Sequence, residues 1–163
     1  MKLNSLFCNG AVIQCNKPVR VFGTGKGTVT ISFMNESKTI ESSEENWCVE
    51  LGSHLVGGPY WPAHKITTLH DIMIGEVILC AGQSNMQLKI SATADHVVHE
   101  SNPLLRLFTV KPPEEGEHFT DEWVLCEKST VQYWSAIAYN IGRMIQKKKG
   151  GAIGIIVCYQ GAS

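Results

Sequence analysis

The sequence predicts an α/β protein in two parts. A small antiparallel β-sandwich is expected over residues 1–70, and the first part of a doubly wound, three-layer α/β/α domain over residues 71–163. Three observations carry this expectation. Short β-like runs separated by turn signals fill the first part, as in a sandwich. After residue 70 strand-like and helix-like segments alternate, which calls for parallel strands, crossover helices and a site at the strands' carboxyl ends. At the first strand-to-helix junction stands a serine, Ser84, just after Gly82 and Gln83.

The β-like runs of the first part are residues 18–22, 28–34, 47–51 and 65–69. Gly23-Thr24-Gly25-Lys26-Gly27, residues 41–46 and Gly57-Gly58-Pro59 punctuate them. The three glycines at 23, 25 and 27 are spaced like a phosphate loop, but they lie between β-runs with no helix following, so a turn is expected. In the second part, residues 77–81 form an apolar run of the buried-strand type. Residues 86–100 have spaced apolar residues and room for a helix. Residues 105–109 read as the next strand. A helix is expected over 131–148, where Ile137, Ile141, Met144 and Ile145 recur at helical spacing. Lys147-Lys148-Lys149 closes it, where the helix dipole favours cations. Residues 153–158 form a β-branched strand, and Pro112-Pro113-Glu114-Glu115-Gly116-Glu117 reads as a solvated loop near the sheet's carboxyl edge.

Composition sets the outer bounds. Hydrophobic residues make up 44% of the 163, enough for one domain or two small ones. The formal charge is −1 and the one basic cluster ends a helix, so neither nucleic acid nor a membrane surface is an expected partner. No apolar run approaches the roughly 20 residues needed to span a bilayer. Met1-Lys2-Leu3-Asn4 leads almost directly into the first strand, which leaves no room for an uncleaved signal peptide; a removed one stays open. The cysteines at 8, 15, 48, 80, 126 and 158 form no C-x-x-C, and Cys80 and Cys158 lie inside apolar runs. Reduced thiols in a cytoplasmic protein are therefore expected, rather than a secreted disulfide framework. No cofactor and no metal is expected. Asp95-His96-Val97-Val98-His99-Glu100 carries ligand types without the H-E-x-x-H spacing and reads as an exposed helix face. Asn35-Glu36-Ser37 matches a glycosylation sequon, a pattern too short to carry weight alone.

A serine on a turn between a buried strand and a helix has its hydroxyl held at the carboxyl edge of the sheet. The helix that follows offers unpaired backbone N–H groups to a developing negative charge. Gly82 suits such a turn because it lacks a Cβ. The same serine also fits a helix N-cap, which stabilises by about 1 kcal/mol, and local chemistry on its own favours the cap.

The wording of the segment reverses that preference. Gly82-Gln83-Ser84-Asn85-Met86, preceded by Gly75-Glu76-Val77-Ile78-Leu79-Cys80, resembles the nucleophile block of the sialate O-acetylesterase-like branch of the SGNH hydrolases. That branch also contains carbohydrate acetylesterases such as acetylxylan esterases. The segment is not the G-x-S-x-G elbow of α/β-hydrolases, because Met86 stands where the second glycine would be. Further blocks match in order. Asn9-Gly10-Ala11-Val12-Ile13-Gln14 and Lys17-Pro18-Val19-Arg20-Val21-Phe22-Gly23 are similar to the opening of the family's N-terminal β-domain, and Gly57-Gly58-Pro59-Tyr60 to its end. Gly154-Ile155-Ile156-Val157-Cys158-Tyr159-Gln160-Gly161 is similar to the family's second block.

The resemblance implies a flavodoxin-like SGNH fold and a serine esterase acting on an acetylated carbohydrate. It implies Ser84 as nucleophile, with the backbone N–H groups of Ser84 and Gly161 in the oxyanion hole and Gln83, Asn85 and Gln160 beside the substrate. Gly161 also fits a glycine that merely permits a tight turn. The family shows two adjacent glycines at that place, whereas residue 162 is alanine, which keeps a backbone donor. The family's third block and its Asp-x-x-His motif are missing, and none of the histidines at 54, 64, 70, 96, 99 and 118 lies in such a motif. His118, in the acidic loop, is the one candidate base in the chain. The expectation is thus the N-terminal part of a longer hydrolase, partnered by the C-terminal remainder of its own domain and nearly inactive alone. Its incomplete sheet is expected to self-associate through an open edge beside residues 153–158. The alternative function is a non-catalytic carbohydrate-binding module in which Trp47, Tyr60 and Trp61 stack on sugars or, equally, fill a sandwich core.

Overall fold

The computed structural model describes residues 1–60, 69–94, 100–110 and 122–159. In chain order the strands are β1 (Lys2–Leu3), β2 (Val12–Gln14), β3 (Pro18–Thr24), β4 (Gly27–Phe33), β5 (Glu36–Ser42), β6 (Asn46–Ser53), β7 (Gly57–Tyr60) and β8 (Ile72–Gly82). A one-turn helix, α1 (Ser84–Gln87), precedes β9 (Asn102–Thr109) and β10 (Trp123–Cys126). The long helix α2 (Ala136–Lys149) and β11 (Ala152–Tyr159) complete the described chain. The architecture is mixed α/β and mostly sheet.

Alternation of buried and exposed positions builds the N-terminal strands, with Phe22 and Cys48 the apolar residues at outward positions of β3 and β6. Val19 and Val21 of β3, Val29, Ile31 and Phe33 of β4, and Trp47, Val49 and Leu51 of β6 all point inward. β3 pairs antiparallel with β6 and, at its other edge, with β1. β4 and β5 form a hairpin tied by hydroxyl pairs, Thr30 with Thr39 and Ser32 with Ser37, each at 2.8 Å. Hydrophobic periodicity does not reveal β5, because Ile40 is its sole large apolar residue. The expected turn at 41–46 is accordingly shorter, with Ser42 ending β5 and Asn46 opening β6.

The main sheet has the order β10-β9-β11-β8-β2, with β7 alongside the start of β8. β8, β9, β11 and β2 run parallel, whereas β10 and β7 are antiparallel. Two strands from before residue 70, β2 and β7, thus belong to the sheet that carries Ser84. This order corrects the position of the open edge. β11 pairs with β8 on one side and β9 on the other, so residues 153–158 lie inside the sheet. The chain crosses from β8 to β9 and returns to fill the gap, and sequence order alone does not show that. Among the described residues β10 ends the sheet on one side, and on the other the carboxyl half of β8 is a free stretch of edge. Past Gly75 no strand pairs with it on the β2 side, and Val77 N–H donates to the Gln14 side chain instead, at 2.9 Å.

The two faces of the sheet are covered differently. Ile153, Ile155 and Val157 of β11 face α2 and form a core with Leu105, Leu107, Cys80 and Tyr139. On the opposite face Ala152 and Met73 join the N-terminal strands in one continuous core with Phe108 and Trp123. Gly154 sits on this second face, where an added Cβ would lie 2.7 Å from Val12 Cβ and about 3 Å from the Trp123 ring. Gly154→Val is therefore expected to destabilise the fold by about 1–3 kcal/mol or more through overpacking, read as a lowered urea midpoint at unchanged m-value.

The N-terminal strands cover the amino half of that face and leave Leu79 68% exposed. The whole of 77–81 is thus not a buried strand. Cys158 is also exposed, against expectation, and none of the six cysteines is in a disulfide.

α2 corrects a second expectation. Ala136, Ala138, Tyr139 and Gly142 are its buried residues, while Ile137 and Ile141 are each 40% exposed and Met144 72%. Close approach decides which face turns inward. A side chain at Gly142 would run into Ile155, so this small-residue face can lie against the sheet where an isoleucine face could not. The helix starts at Ala136, with Ser135 as its cap accepting from Ala138 N–H, after a single 3₁₀ turn over Val131–Tyr133. The three terminal lysines fall in its last turn, as expected.

One of these lysines, Lys149, places its ammonium 2.6 Å from Glu76 on β8, and Gln14 donates to the same carboxylate at 3.1 Å. These donors hold the Glu76 carboxyl below its ordinary value of 4.5, and Glu76 holds the Lys149 ammonium above its own. A depressed carboxyl pKa stabilises the fold above the unfolded value and loses that contribution as pH falls through the folded value. A raised ammonium pKa contributes below the unfolded value and fades as pH climbs through the folded one. Glu76→Gln should therefore lose less stability than the parent between neutral pH and about pH 3, as read by thermal melts.

Candidate functional site

Ser84 lies where β8 ends. Gly82 closes the strand, Gln83 takes the N-cap position without a side-chain cap bond, and Ser84 opens α1. The hydroxyl of Ser84 is exposed and makes no hydrogen bond among the described residues, so it is not acting as a cap. Gln83 C=O accepts from the N–H groups of Met86 and Gln87. The N–H groups of Ser84 and Asn85, at the start of the turn, have no partner within it. The helix expected over 86–100 is cut to this one turn and a short 3₁₀ segment, Ile90–Ala92; residues 95–99 lie outside the described residues. A single turn supplies individual donors rather than a macrodipole.

Gly82 is favoured by a close contact rather than by a left-handed turn. It ends an extended strand, and a Cβ there would stand 3.1 Å from Met86 Cβ. Met86 is in turn held by the Ser135 hydroxyl, 3.4 Å from its sulfur. Lys89 bridges to Ser135, Ile90 N–H donates to Trp134 C=O and Ala136 N–H donates to Leu88 C=O. The segment after Ser84 is thereby pinned to the start of α2. Ser135 is not among the residues expected at the site, although a serine just before a helical run is an N-cap signal that points to it.

Tyr159 pairs in register with Gly82, so the described end of β11 stands level with the entry to the Ser84 turn. Gln160 and Gly161 lie outside the described residues, as do Trp61, His64, His96, His99, His118 and the acidic stretch 112–117. The described histidines are His54 and His70. His54 packs edge-on to Phe33. His70 precedes β8, whose 11 residues span roughly 35 Å, and so stands at the opposite end of that strand from Ser84. No described histidine is placed to take a proton from Ser84. Among the described residues no cluster of His, Cys, Asp or Glu could hold a metal ion. Burial raises the Cys80 thiol pKa, which makes this neighbour of the turn a poor nucleophile at neutral pH. Trp47 is 5% exposed and donates its indole N–H to Thr24 C=O, and Tyr60 packs partly buried against Phe33, so both fill the core.

No family model matches the chain. It is 26% identical over 165 residues to a sialate O-acetylesterase of Mus musculus, covering 83% of this chain and 30% of that protein. It is 25% identical over 172 residues to a sialate O-acetylesterase of Homo sapiens, covering 87% of this chain and 33% of that protein. The chain is similar in sequence to part of the sialate O-acetylesterases.

A crystal structure of a carbohydrate acetylesterase from Xanthomonas citri superposes on 97% of this chain and 40% of its own, with a TM-score of 0.85 and 24% identity. That likeness shows the fold. The chain spans about a third of the length of the sialate O-acetylesterases it matches.

Proposed function

We propose that the protein is a serine esterase that removes O-acetyl groups from a carbohydrate, either a sialic acid or an acetylated xylan or oligosaccharide. The observation that carries this is the Ser84 hydroxyl, exposed and unbonded among the described residues, at the carboxyl end of a parallel strand. It stands on a turn whose first two backbone amides have no partner within the turn. In this reading Ser84 Oγ attacks the acetyl carbonyl while a histidine takes its proton. The Ser84 and Gly161 N–H groups hold the oxyanion, and Gln83, Asn85 and Gln160 contact the substrate. The sugar oxygen leaves with the proton returned by the histidine, and water then frees acetate from the serine. The histidine and its aspartate lie outside residues 1–163, so this stretch alone turns over slowly.

The same reading makes residues 1–70, apart from β2 and β7, an antiparallel sandwich and 71–163 the opening half of a three-layer flavodoxin-like domain. The remainder of the domain adds its next strand to the free edge of β8, and a second copy of the chain competes for that edge when the remainder is missing. A cytoplasmic setting suits six cysteines that form no disulfide. A carbohydrate-binding module built on Trp47 and Tyr60 has no support, because both rings are spent on the core.

The test is covalent. A fluorophosphonate incubated with the protein as its gene encodes it should modify the peptide containing Ser84, detected by mass spectrometry. Absence of an adduct, or an adduct on another serine that survives Ser84→Ala, would overturn the proposal.

A further inference from the structure

Met86 anchors the Ser84 turn. Of residues 81–89, Met86 and Gln87 alone are not exposed, and Met86 is the one apolar side chain among them that packs against the core between β11 and α2. The orientation of the turn at the end of β8 therefore depends on how firmly that side chain is held. Methionine is unbranched and has three rotatable bonds, so shape alone holds it loosely. A directed bond is needed to fix it.

Ser135 supplies that bond. Its side chain is buried, and its hydroxyl donates to Met86 Sδ at 3.4 Å while accepting from Ala138 N–H at 3.3 Å. A helix cap needs only an acceptor, which leaves the one hydroxyl proton for another partner. Here that proton goes to the turn and a lone pair goes to α2, so a single buried group joins the two. The backbone bonds farther along, from Ile90 N–H to Trp134 C=O and from Ala136 N–H to Leu88 C=O, pin the chain after the turn. The Ser135 hydroxyl acts closer in, on a residue two positions from Ser84.

We infer that Ser135 is a positioning residue for Ser84. By holding Met86 it keeps the turn folded back against Gly82, where a Cβ would stand 3.1 Å from Met86 Cβ, and so fixes the direction in which Ser84 Oγ leaves the sheet edge. The inference rests on the proposed esterase activity for its catalytic meaning, but the bracing of the turn is measurable without turnover.

The experiment compares Ser135→Ala, Met86→Leu and the double variant, in the protein as its gene encodes it. Met86→Leu conserves volume and leaves the α2 cap intact. The kcat and KM on p-nitrophenyl acetate are measured together with hydrogen–deuterium exchange of residues 84–88. In that stretch Gln83 C=O accepts from the Met86 and Gln87 N–H groups at 2.9 and 3.2 Å, and their exchange reports the closed turn. Each single variant should lower kcat about fivefold, with KM unchanged within about twofold. Each should also speed exchange of the turn by a similar factor. The double variant should match the singles rather than multiply them, because both substitutions remove the same bond. Ser135→Ala alone should loosen the start of α2 through loss of the cap; should it not fold, Ser135→Gly, which an N-cap tolerates better, takes its place. A fall in kcat for one single variant and not the other, multiplicative effects, a change confined to KM, or unchanged exchange of the turn would each overturn the inference. Faster exchange in both single variants of a protein without esterase turnover keeps Ser135 as the brace of the turn and rejects the esterase. Turnover with unchanged exchange does the opposite.

Discussion

Ser84→Ala is expected to lower kcat on p-nitrophenyl acetate by roughly 10⁴- to 10⁶-fold in the protein as its gene encodes it. The proposed reaction passes through an acyl group on Ser84 Oγ, and alanine offers no oxygen to carry it. The loss should not come from misfolding, because the Ser84 side chain is exposed and makes no hydrogen bond among the described residues. Melting temperature should accordingly be unchanged within error. The two backbone amides at the start of α1 survive the substitution and can still polarise a carbonyl, so a residual rate above background is expected. Retention of more than a few per cent of the parental kcat would remove Ser84 from the proposed role. Residues 1–163 alone, which hold no described histidine near Ser84, should show a similarly small rate; full turnover by that stretch would place the base within it.

Arg106→Met should be the most destabilising single substitution away from the turn, by about 3 kcal/mol. Arg106 is 3% exposed and sits on β9 beneath the N-terminal strands. Its guanidinium donates to Gly10 C=O at 2.9 Å, to the backbone C=O and the carboxylate of Asp71, and to Pro103 C=O. One side chain thereby ties together β9, the approach to β2 and the approach to β8. Methionine fills most of the volume but leaves the Gly10 and Asp71 carbonyls without donors, and each buried unsatisfied acceptor costs about 1–3 kcal/mol. For a chain of this size the shift in melting temperature is roughly 10 °C. Asp71→Asn provides the contrast. Asp71 has φ +59°, which asparagine tolerates, and its side chain is 40% exposed, so the freed position can be solvated. A fall as large as that of Arg106→Met would show that the ion pair, rather than the carbonyl contacts, dominates.

Much of the fold is legible in the amino-acid order because the relevant signals are local. Alternation of apolar residues in β3, β4 and β6 declares their inward faces, and the β-branched run of β11 declares a strand buried on both sides. The polar strand β5 carries no such signal, since the Thr and Ser pairs that hold it to β4 are cross-strand contacts. In α2 periodicity misleads for a related reason. Ile137, Ile141 and Met144 have helical spacing, but so do Ala138 and Gly142, and the choice between the two stripes depends on how closely Ile155 must be approached.

The α/β class, the strand–turn–helix setting of Ser84 and the relation to the sialate O-acetylesterases all reside in short contiguous runs, and the chain declares them unaided. Three features come from long-range packing instead. β11 lies between β8 and β9, a free stretch of edge falls on the strand leading into Ser84, and Arg106 joins segments up to 96 residues apart. Periodicity records which way a side chain points from its own strand. Which strand becomes its neighbour depends on chain crossings and close packing between distant segments, and no local pattern encodes them.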